Sequence, residues 1–394
     1  MQSRRMQSSR PPHSLLLFTA AVVGCCLTPI AVRGQPRLRF ATYNASLFGK
    51  VAGEIRERLA DGADDQAEKV AAIVQTIRPD VLLINELDYD ADGNTAKLLA
   101  EKFFAKPQGD RFPIEYPYVY SIPSNTGIDS GLDLDHNGKT GEAADAWGYG
   151  KYPGQYAMAV FSRYRIIEDG VRTFQNFLWK DLPAAKRPFD PETKKPYHDD
   201  ATWNRLRLSS KNHVDVPVMV IGRPIHILVS HPTPPVFDGK EDRNGCRNHD
   251  EIKFWIDYLA GEEGKQAQYI VDDAGKRGGV DLNDLVVVMG DLNADPADGD
   301  GDQRVIDSLL SHSRLQDPLP ISHGAVEAKM DDAGKPDRDT ASFRSANMRV
   351  DYVLPDRRIY LRESRVFWPP QASEDHRLIT DSDHRMVWIK VEIP

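Results

Sequence analysis

Apolar and polar positions alternate through RLRFATYN, residues 37–44, and this period of two predicts a strand. The next segment changes period. Ala67, Val70, Ala71, Val74 and Ile77 fall on one face of a helix that ends before Pro79. VLLIN, residues 81–85, is a continuous apolar run and predicts a buried strand. A second amphipathic helix is expected over 94–105 and a short strand at YPYVY, followed by a Gly/Asp-rich stretch over 122–154. Strands are expected at QYAMAVFS, at RYRI and, beyond the Asp169-Gly170 turn, at VRTFQNF. The Pro-, Lys- and Asp-rich segment 178–200 has the composition of a surface excursion. RLRLSS, VPVMVIG and IHILVS predict three more strands, the last two joined by a Gly-Arg-Pro turn. A helix closed by Gly261 follows at NHDEIKFWIDYLAG, then the strand DLVVVMG and a helix over 302–310. MRVDYVL, IYLRESRVF and RMVWIKVEI close the chain as strands.

Strands outnumber helices, and many succeed one another with no helix between. The pattern is therefore α+β and layered, not a strict alternation of parallel units. No internal repeat or linker divides residues 35–394, which are read as one domain.

The first 34 residues have a different character. Arg4, Arg5 and Arg10 precede the apolar core LLLFTAAVVG, and small residues follow through Gly34. This is the plan of an export signal, and the core is short for a membrane span. Cleavage near Gly34 would release a soluble periplasmic or extracellular protein. Val22-Val23-Gly24-Cys25 also fits a lipoprotein box, which would leave a lipid on Cys25. The whole chain carries 50 basic and 59 acidic side chains. Four arginines and no acid leave with residues 1–34, so 46 basic groups then face 59 acidic ones, a balance of −13. Such a surface does not attract polyanions non-specifically and argues against tight, salt-sensitive DNA binding. Cys246 is the one cysteine beyond the signal, so no internal disulfide is expected there.

Chemistry-bearing residues stand where apolar runs stop. Asn44 closes the first strand, Glu86 follows VLLIN, and His231 follows IHILVS. Asp291 and Asn293 follow VVVMG, Asp351 interrupts an apolar strand, and Asp383-His384 precede the last one. Strand ends are where loops carrying function begin. Asp291 and Asn293, two residues apart on an extended segment, point to one side and can hold a water, a metal or a phosphate oxygen; an Asx turn would use the same residues. Glu86, with Asn44 and Asp383 in support, has the hard oxygens that Mg²⁺ prefers, and Mn²⁺ or Ca²⁺ would also be accepted. His384 is the candidate general base, with Asp351 to orient it. Asp291 and Asn293 would position water and phosphate, and His231 would protonate or stabilise the leaving oxygen.

The ordered set LLINELD, YAMAVFSRYRI, SHPTPP, GDLNADP, RVDYVLP and SDHRMV resembles the endonuclease/exonuclease/phosphatase superfamily over about residues 37–392. That resemblance implies two packed, mostly antiparallel β-sheets flanked by helices, a four-layer sandwich of the deoxyribonuclease I type. It implies Asn44 and Glu86 as the first asparagine and metal-binding glutamate, and His231 as a proton donor. Asp291 and Asn293 match the acid and amide near the scissile phosphate, Asp351 the partner of the last histidine, and Asp383-His384 the terminal pair. The motifs HPTPPVFDGKEDRNGCRNHDE resemble an exported bacterial branch.

Within that segment Arg243, Arg247, Asn248 and His249 could contact a phosphate or could cap the following helix, and Lys211 and His213 have the same two readings. The loop 133–142 begins Asp-x-Asp-x-Asn-Gly like a calcium loop, but Ala144 stands at the closing position. Residues 295–302 are dense in acids. Either loop could hold a structural Ca²⁺ or be solvated. The expectation is an exported Mg²⁺-dependent hydrolase of a phosphodiester or phosphomonoester (EC 3.1), acting on a small molecule, lipid headgroup or nucleic acid. A secreted nuclease and a non-catalytic phosphate-ligand binding protein on the same scaffold are the alternatives.

Overall fold

The computed structural model describes residues 1–2, 37–261, 264–330 and 333–394. The expected signal segment and the candidate lipid site at Cys25 lie, beyond the first two residues, outside the described residues.

One sheet is built from β1 (Arg37–Leu47), β2 (Val81–Leu87), β3 (Tyr118–Ile122), β4 (Met158–Ser162), β12 (Tyr360–Phe367) and β13 (Met386–Glu392), in the order β12-β13-β1-β2-β4-β3. The second is built from β5 (Arg172–Thr173), β6 (His213–Val220), β7 (Arg223–Ser230), β8 (Leu285–Asp291) and β11 (Asp351–Pro355), in the order β11-β8-β7-β6-β5. β9 (Ala341–Ser342) and β10 (Asn347–Met348) form a small separate ribbon. β1 runs parallel to β2 and β7 parallel to β8; every other pairing in the two sheets is antiparallel. The α-helices among the described residues are α1 (Glu54–Ala60), α2 (Asp65–Ile77), α3 (Asn94–Leu98), α4 (Asp200–Trp203), α5 (Arg243–Tyr258), α6 (Gln303–Leu310) and α7 (His323–Glu327).

The two sheets face each other. Val216, Ile227, Val287 and Val353 of the second share one buried cluster with Phe40, Leu82, Ile84 and Val160 of the first, and α2 adds Val70, Ile73 and Val74. The other face of the second sheet is apolar too. Leu228, Val286, Val288 and Leu354 pack with Phe254 and Trp255 of α5 and Ile306 of α6 in a second cluster. A strand buried on both faces favours apolar residues at successive positions, which is why VLLI and LVVVM are unbroken apolar runs. The expected α+β sandwich is the one observed.

Local differences have physical causes. RLRLSS is not a strand. Leu206 and Leu208 to Ser210 are buried, but only the bridge Leu178–Arg207 pairs its backbone with another segment. The apolar alternation there records burial without a ladder. RYRI likewise makes a single bridge, Ile166–Val218, and VRTFQNF is ladder-paired only at β5. The segment 178–200 is not wholly a surface excursion, because Trp179 and Leu182 are buried in the second cluster. The helix expected over 94–105 widens into a π-helical turn at Leu99–Phe104. The turn between β6 and β7 falls at Ile221 and Gly222, both with positive φ (49° and 78°), as a two-residue hairpin requires.

Candidate active site

Asn44, Glu86 and Asp291 lie toward the ends of β1, β2 and β8, and Asp351 opens the antiparallel β11. β8 and β11 pair with Asp291 directly opposite Asp351. Gly290 sets the approach to β7: a Cβ there would lie 2.0 Å from the Ser230 carbonyl oxygen. Only glycine allows that backbone contact, which puts Asp291 beside His231, the residue that follows Ser230.

The Asp291 carboxylate is the hub. Its Oδ2 accepts a hydrogen bond from Asn44 Nδ2 at 3.1 Å and lies 3.3 Å from His231 Nε2 and 3.5 Å from His384 Nε2. Its Oδ1 accepts from the Asn293 backbone N–H at 3.0 Å. His384 Nδ1 is 2.9 Å from Asp351 Oδ2, and Thr340 Oγ1 donates to that same carboxylate oxygen at 2.8 Å. Asp383 is half exposed, with Oδ1 3.8 Å from His384 Nε2. Asn44 faces the carboxylates with its amide nitrogen, because its Oδ1 accepts from the Ser46 backbone N–H. It is therefore placed to orient Glu86 and Asp291 as a donor, with its oxygen already engaged. Glu86 and Asn293 both have left-handed backbones (φ 57° and 50°). Strain of this kind at two of the gathered residues is what a site that over-determines side-chain position displays.

Charges follow from this packing. Burial pulls the His384 imidazole down, but the Asp351 and Asp291 carboxylates outweigh it and raise the pKa to about 10. Burial raises Asp291 to about 6 even though His384 and Asn44 oppose the shift. His231 is held well below the usual histidine range by burial and by the Lys211 and His384 charges. Burial likewise raises Glu86, against His384, Asn44 and Lys211. At neutral pH His384 is thus a cation, while His231 is a neutral imidazole that offers a hydrogen bond but carries no spare proton. For His384 the folded pKa lies above the unfolded value near 6.5, so its contribution to stability is complete below that value and is lost as pH rises to about 10. In EDTA, the urea midpoint is expected to fall between pH 6.5 and 10, and Asp351→Asn should flatten that slope. A midpoint independent of pH in the parent protein would rule out the ion pair.

The second group of candidate residues divides. Lys211 is buried, and its ammonium pKa is lowered by burial against the pull of Glu251, Glu86 and Asp291, so it belongs to the charged centre. His213 does not. It is buried against Phe254 and Trp255, and its nitrogens meet the Ser209 hydroxyl and the Glu251 carbonyl. Arg247 donates to the carbonyls of Leu208, Trp147 and Arg207, and Asn248 to those of Thr233 and Leu292. Arg243 pairs with Glu241 over the Tyr197 ring, and His249 Nδ1 is 2.8 Å from Asp250. These five side chains are occupied by partners within the protein.

Three residues not singled out by the motifs organise the centre. Glu251 accepts from Ser210 N (2.7 Å), Ser210 Oγ (3.1 Å) and Thr233 N (2.6 Å), tying the loop before His213 to the loop after His231. It lies on α5 in register with Asn248, Trp255 and Tyr258, and an acid inside an apolar stripe is the signal that marks it. Thr340 fixes Asp351. Ser382 Oγ donates to the Asn44 carbonyl at 2.7 Å and accepts from His384 N at 3.0 Å.

The centre suits a divalent cation. Asp291, Asp351 and His384 are close enough for one atom of each to share an ion. The carboxylates of Glu86, Asp291, Asp351 and Asp383 gather around His384. The buried Asp351 Oδ1 has no hydrogen-bond partner. Of the acidic loops, Asp133, Asp135 and Asp145 also bring oxygens together, though Asp145 is already bound to Leu134 N and Glu142 N. The 295–302 loop is satisfied without an ion: Asp295 accepts from Ala297 N, Asp298 N and Arg349 N, and Asp302 pairs with Lys186 and Arg304.

The endonuclease/exonuclease/phosphatase family model matches residues 41–384. The chain belongs to the endonuclease/exonuclease/phosphatase family. Members of that family are generally phosphoester hydrolases that depend on divalent metals. A family protein from Beutenbergia cavernae is similar in fold at 18% identity and a TM-score of 0.50, over 91% of this chain and 72% of that one. A family protein from Leptotrichia buccalis is similar at 16% identity and a TM-score of 0.48, over 90% of this chain and 100% of that one. No curated protein matches the chain. Among the described residues no helix is long and apolar enough to cross a membrane.

Proposed function

We propose that this family member is an exported, Mg²⁺-dependent phosphoesterase acting on a small phosphate ester. The observation that carries the reading is the Asp291 carboxylate, held among Asn44, His231 and His384 and raised to about 6. Glu86, with Asp383, would hold the metal, and the metal would supply charge neutralisation at the phosphoryl oxygens.

The chain's own groups divide the remaining work. Asp291 takes the proton from the attacking water, since a carboxylate poised near 6 is ionised yet basic enough at neutral pH. This moves the base role from His384, whose imidazole already carries its proton. His384, fixed by Asp351, presents that cation to the charge that develops on phosphate. His231 donates a hydrogen bond to the leaving or phosphoryl oxygen as a neutral imidazole. Asn293 keeps Asp291 aimed through its backbone N–H and ties the His231 loop through Nδ2 to the Pro232 carbonyl at 3.1 Å. The acidic balance of −13 expected after signal removal favours a small substrate over a polyanion.

The test is hydrolysis of p-nitrophenyl phosphate and bis-p-nitrophenyl phosphate with and without EDTA. Turnover should vanish in EDTA and return with Mg²⁺. kcat/KM should rise with pH along a limb at or below about 6, since a bound cation can only lower the Asp291 value. Hydrolysis of neither ester, or hydrolysis indifferent to EDTA, would remove the proposal.

A further inference from the structure

Lys211 has an ammonium group for which the protein supplies no direct partner. The residue is 7% exposed, and among the described residues no oxygen accepts a hydrogen bond from Nζ or forms an ion pair with it. Other buried cations around the centre are engaged. Arg247 donates to three backbone carbonyls, Arg385 to those of Ser382 and His384, and His384 meets Asp351. A buried ammonium with nothing bonded to it is costly, and a polar group kept in that condition marks a place where something binds.

The chain around Lys211 is pinned. Its carbonyl accepts from Asn125 N at 2.8 Å, Ser210 is held by Glu251 through N and Oγ, and the Asn212 side chain donates to the Pro123 carbonyl at 2.9 Å. Glu251 spends Oε1 on Ser210 and Oε2 on Thr233 N. It steadies the loop and favours the Lys211 charge through space without bonding to it. The ammonium nevertheless acts on the centre, since its charge is felt by Glu86, Asp291 and His231. Those are the groups assigned above to the metal, the attacking water and the departing oxygen, so a phosphate among them lies on the side to which Lys211 turns its charge.

An anionic oxygen is what completes such a group, and it also offsets the burial that disfavours the charge. The metal and His384 answer the two unesterified oxygens that a phosphodiester has. A phosphomonoester has a third, and near neutral pH a second negative charge. A diester would set an ester carbon against Lys211 and leave the ammonium both desolvated and unpaired.

We infer that Lys211 binds the third unesterified oxygen of the substrate and makes the site selective for phosphomonoesters. The inference rests on the phosphoesterase reading and adds to it the ester class and the residue that sets it. The test compares p-nitrophenyl phosphate with methyl p-nitrophenyl phosphate, which share a leaving group, at about pH 8, above the second phosphate pKa near 6. In the parent protein kcat/KM should favour the monoester by at least ~10-fold. Lys211→Met keeps the length of the side chain and removes its charge. It should lower the monoester value by ~10- to 10²-fold, the range for a lost hydrogen bond to a charged group, and the diester value by less than ~3-fold. Competitive inhibition by inorganic phosphate should weaken with it, and inhibition by dimethyl phosphate should not. Lys211→Arg should recover part of the monoester rate. Should Lys211→Met not fold, Lys211→Gln carries the same comparison. A parent protein that prefers the diester, or a charge-removing variant that lowers both esters equally, as a purely structural lysine would, overturns the inference while leaving phosphoester hydrolysis standing. Hydrolysis of neither ester overturns both.

Discussion

Replacing Asp291 with Asn should reduce kcat on bis-p-nitrophenyl phosphate by ~10³-fold or more, while the circular dichroism spectrum stays unchanged. One oxygen of this residue accepts from Asn44 and lies within 3.5 Å of ring nitrogens of His231 and His384. The amide keeps the size and one acceptor oxygen, so the centre can still close. What it loses is the ability to accept a proton, and general base catalysis alone is worth ~10²–10⁴-fold. The amide also removes the negative charge that helps hold His384 protonated, so the two losses compound. Stability should change by only about 1–2 kcal/mol, since a buried carboxylate whose pKa is already raised by burial is itself costly to ionise. If the variant retains kcat within ~10-fold, the proton goes elsewhere.

The second large effect is expected at Glu86. Glu86→Gln should weaken Mg²⁺ binding, read by titration calorimetry, by at least ~10²-fold, and cut kcat/KM by ~10³-fold at millimolar metal. Raising the metal concentration should restore part of the rate, which is the signature of a lost ligand and not of a lost base. The metal-free variant should be no less stable than the parent. Burial and Asp291 both disfavour the Glu86 charge, so in the absence of a cation the neutral amide relieves the site. Unchanged metal affinity would move the cation to the Asp291, Asp351 and His384 cluster.

The site was legible in the sequence because each polar residue interrupts an apolar run, and a run that must be buried on both faces tolerates a carboxylate only at its end. Glu86 after VLLIN and Asp291 after VVVMG are of this kind. The same reasoning could not reach protonation states. His384 and His231 are equivalent as letters and both lie near Asp291, but His384 alone also pairs with Asp351, while burial and the Lys211 and His384 charges hold His231 down; these neighbours come from distant segments. Arg247 and His213 had two readings from the sequence, phosphate contact or support of the following helix, and backbone carbonyls and the α5 aromatics occupy them. Loop backbone needs donors wherever it is buried, and sequence does not say which arginine will serve it. The strand predicted at RLRLSS failed for a related reason: apolar residues alternate there, but the hydrogen bonds of a ladder do not accompany them.

The Asn44 to Asp291 hydrogen bond crosses from one sheet to the other, and so does the pair formed by His384, just before β13, with Asp351 at the start of β11. Catalysis therefore doubles as a gauge of docking. In a partly denatured ensemble that keeps its strands but lets the halves drift, turnover should disappear at the denaturant concentration where tryptophan emission shifts, well before far-ultraviolet ellipticity decays.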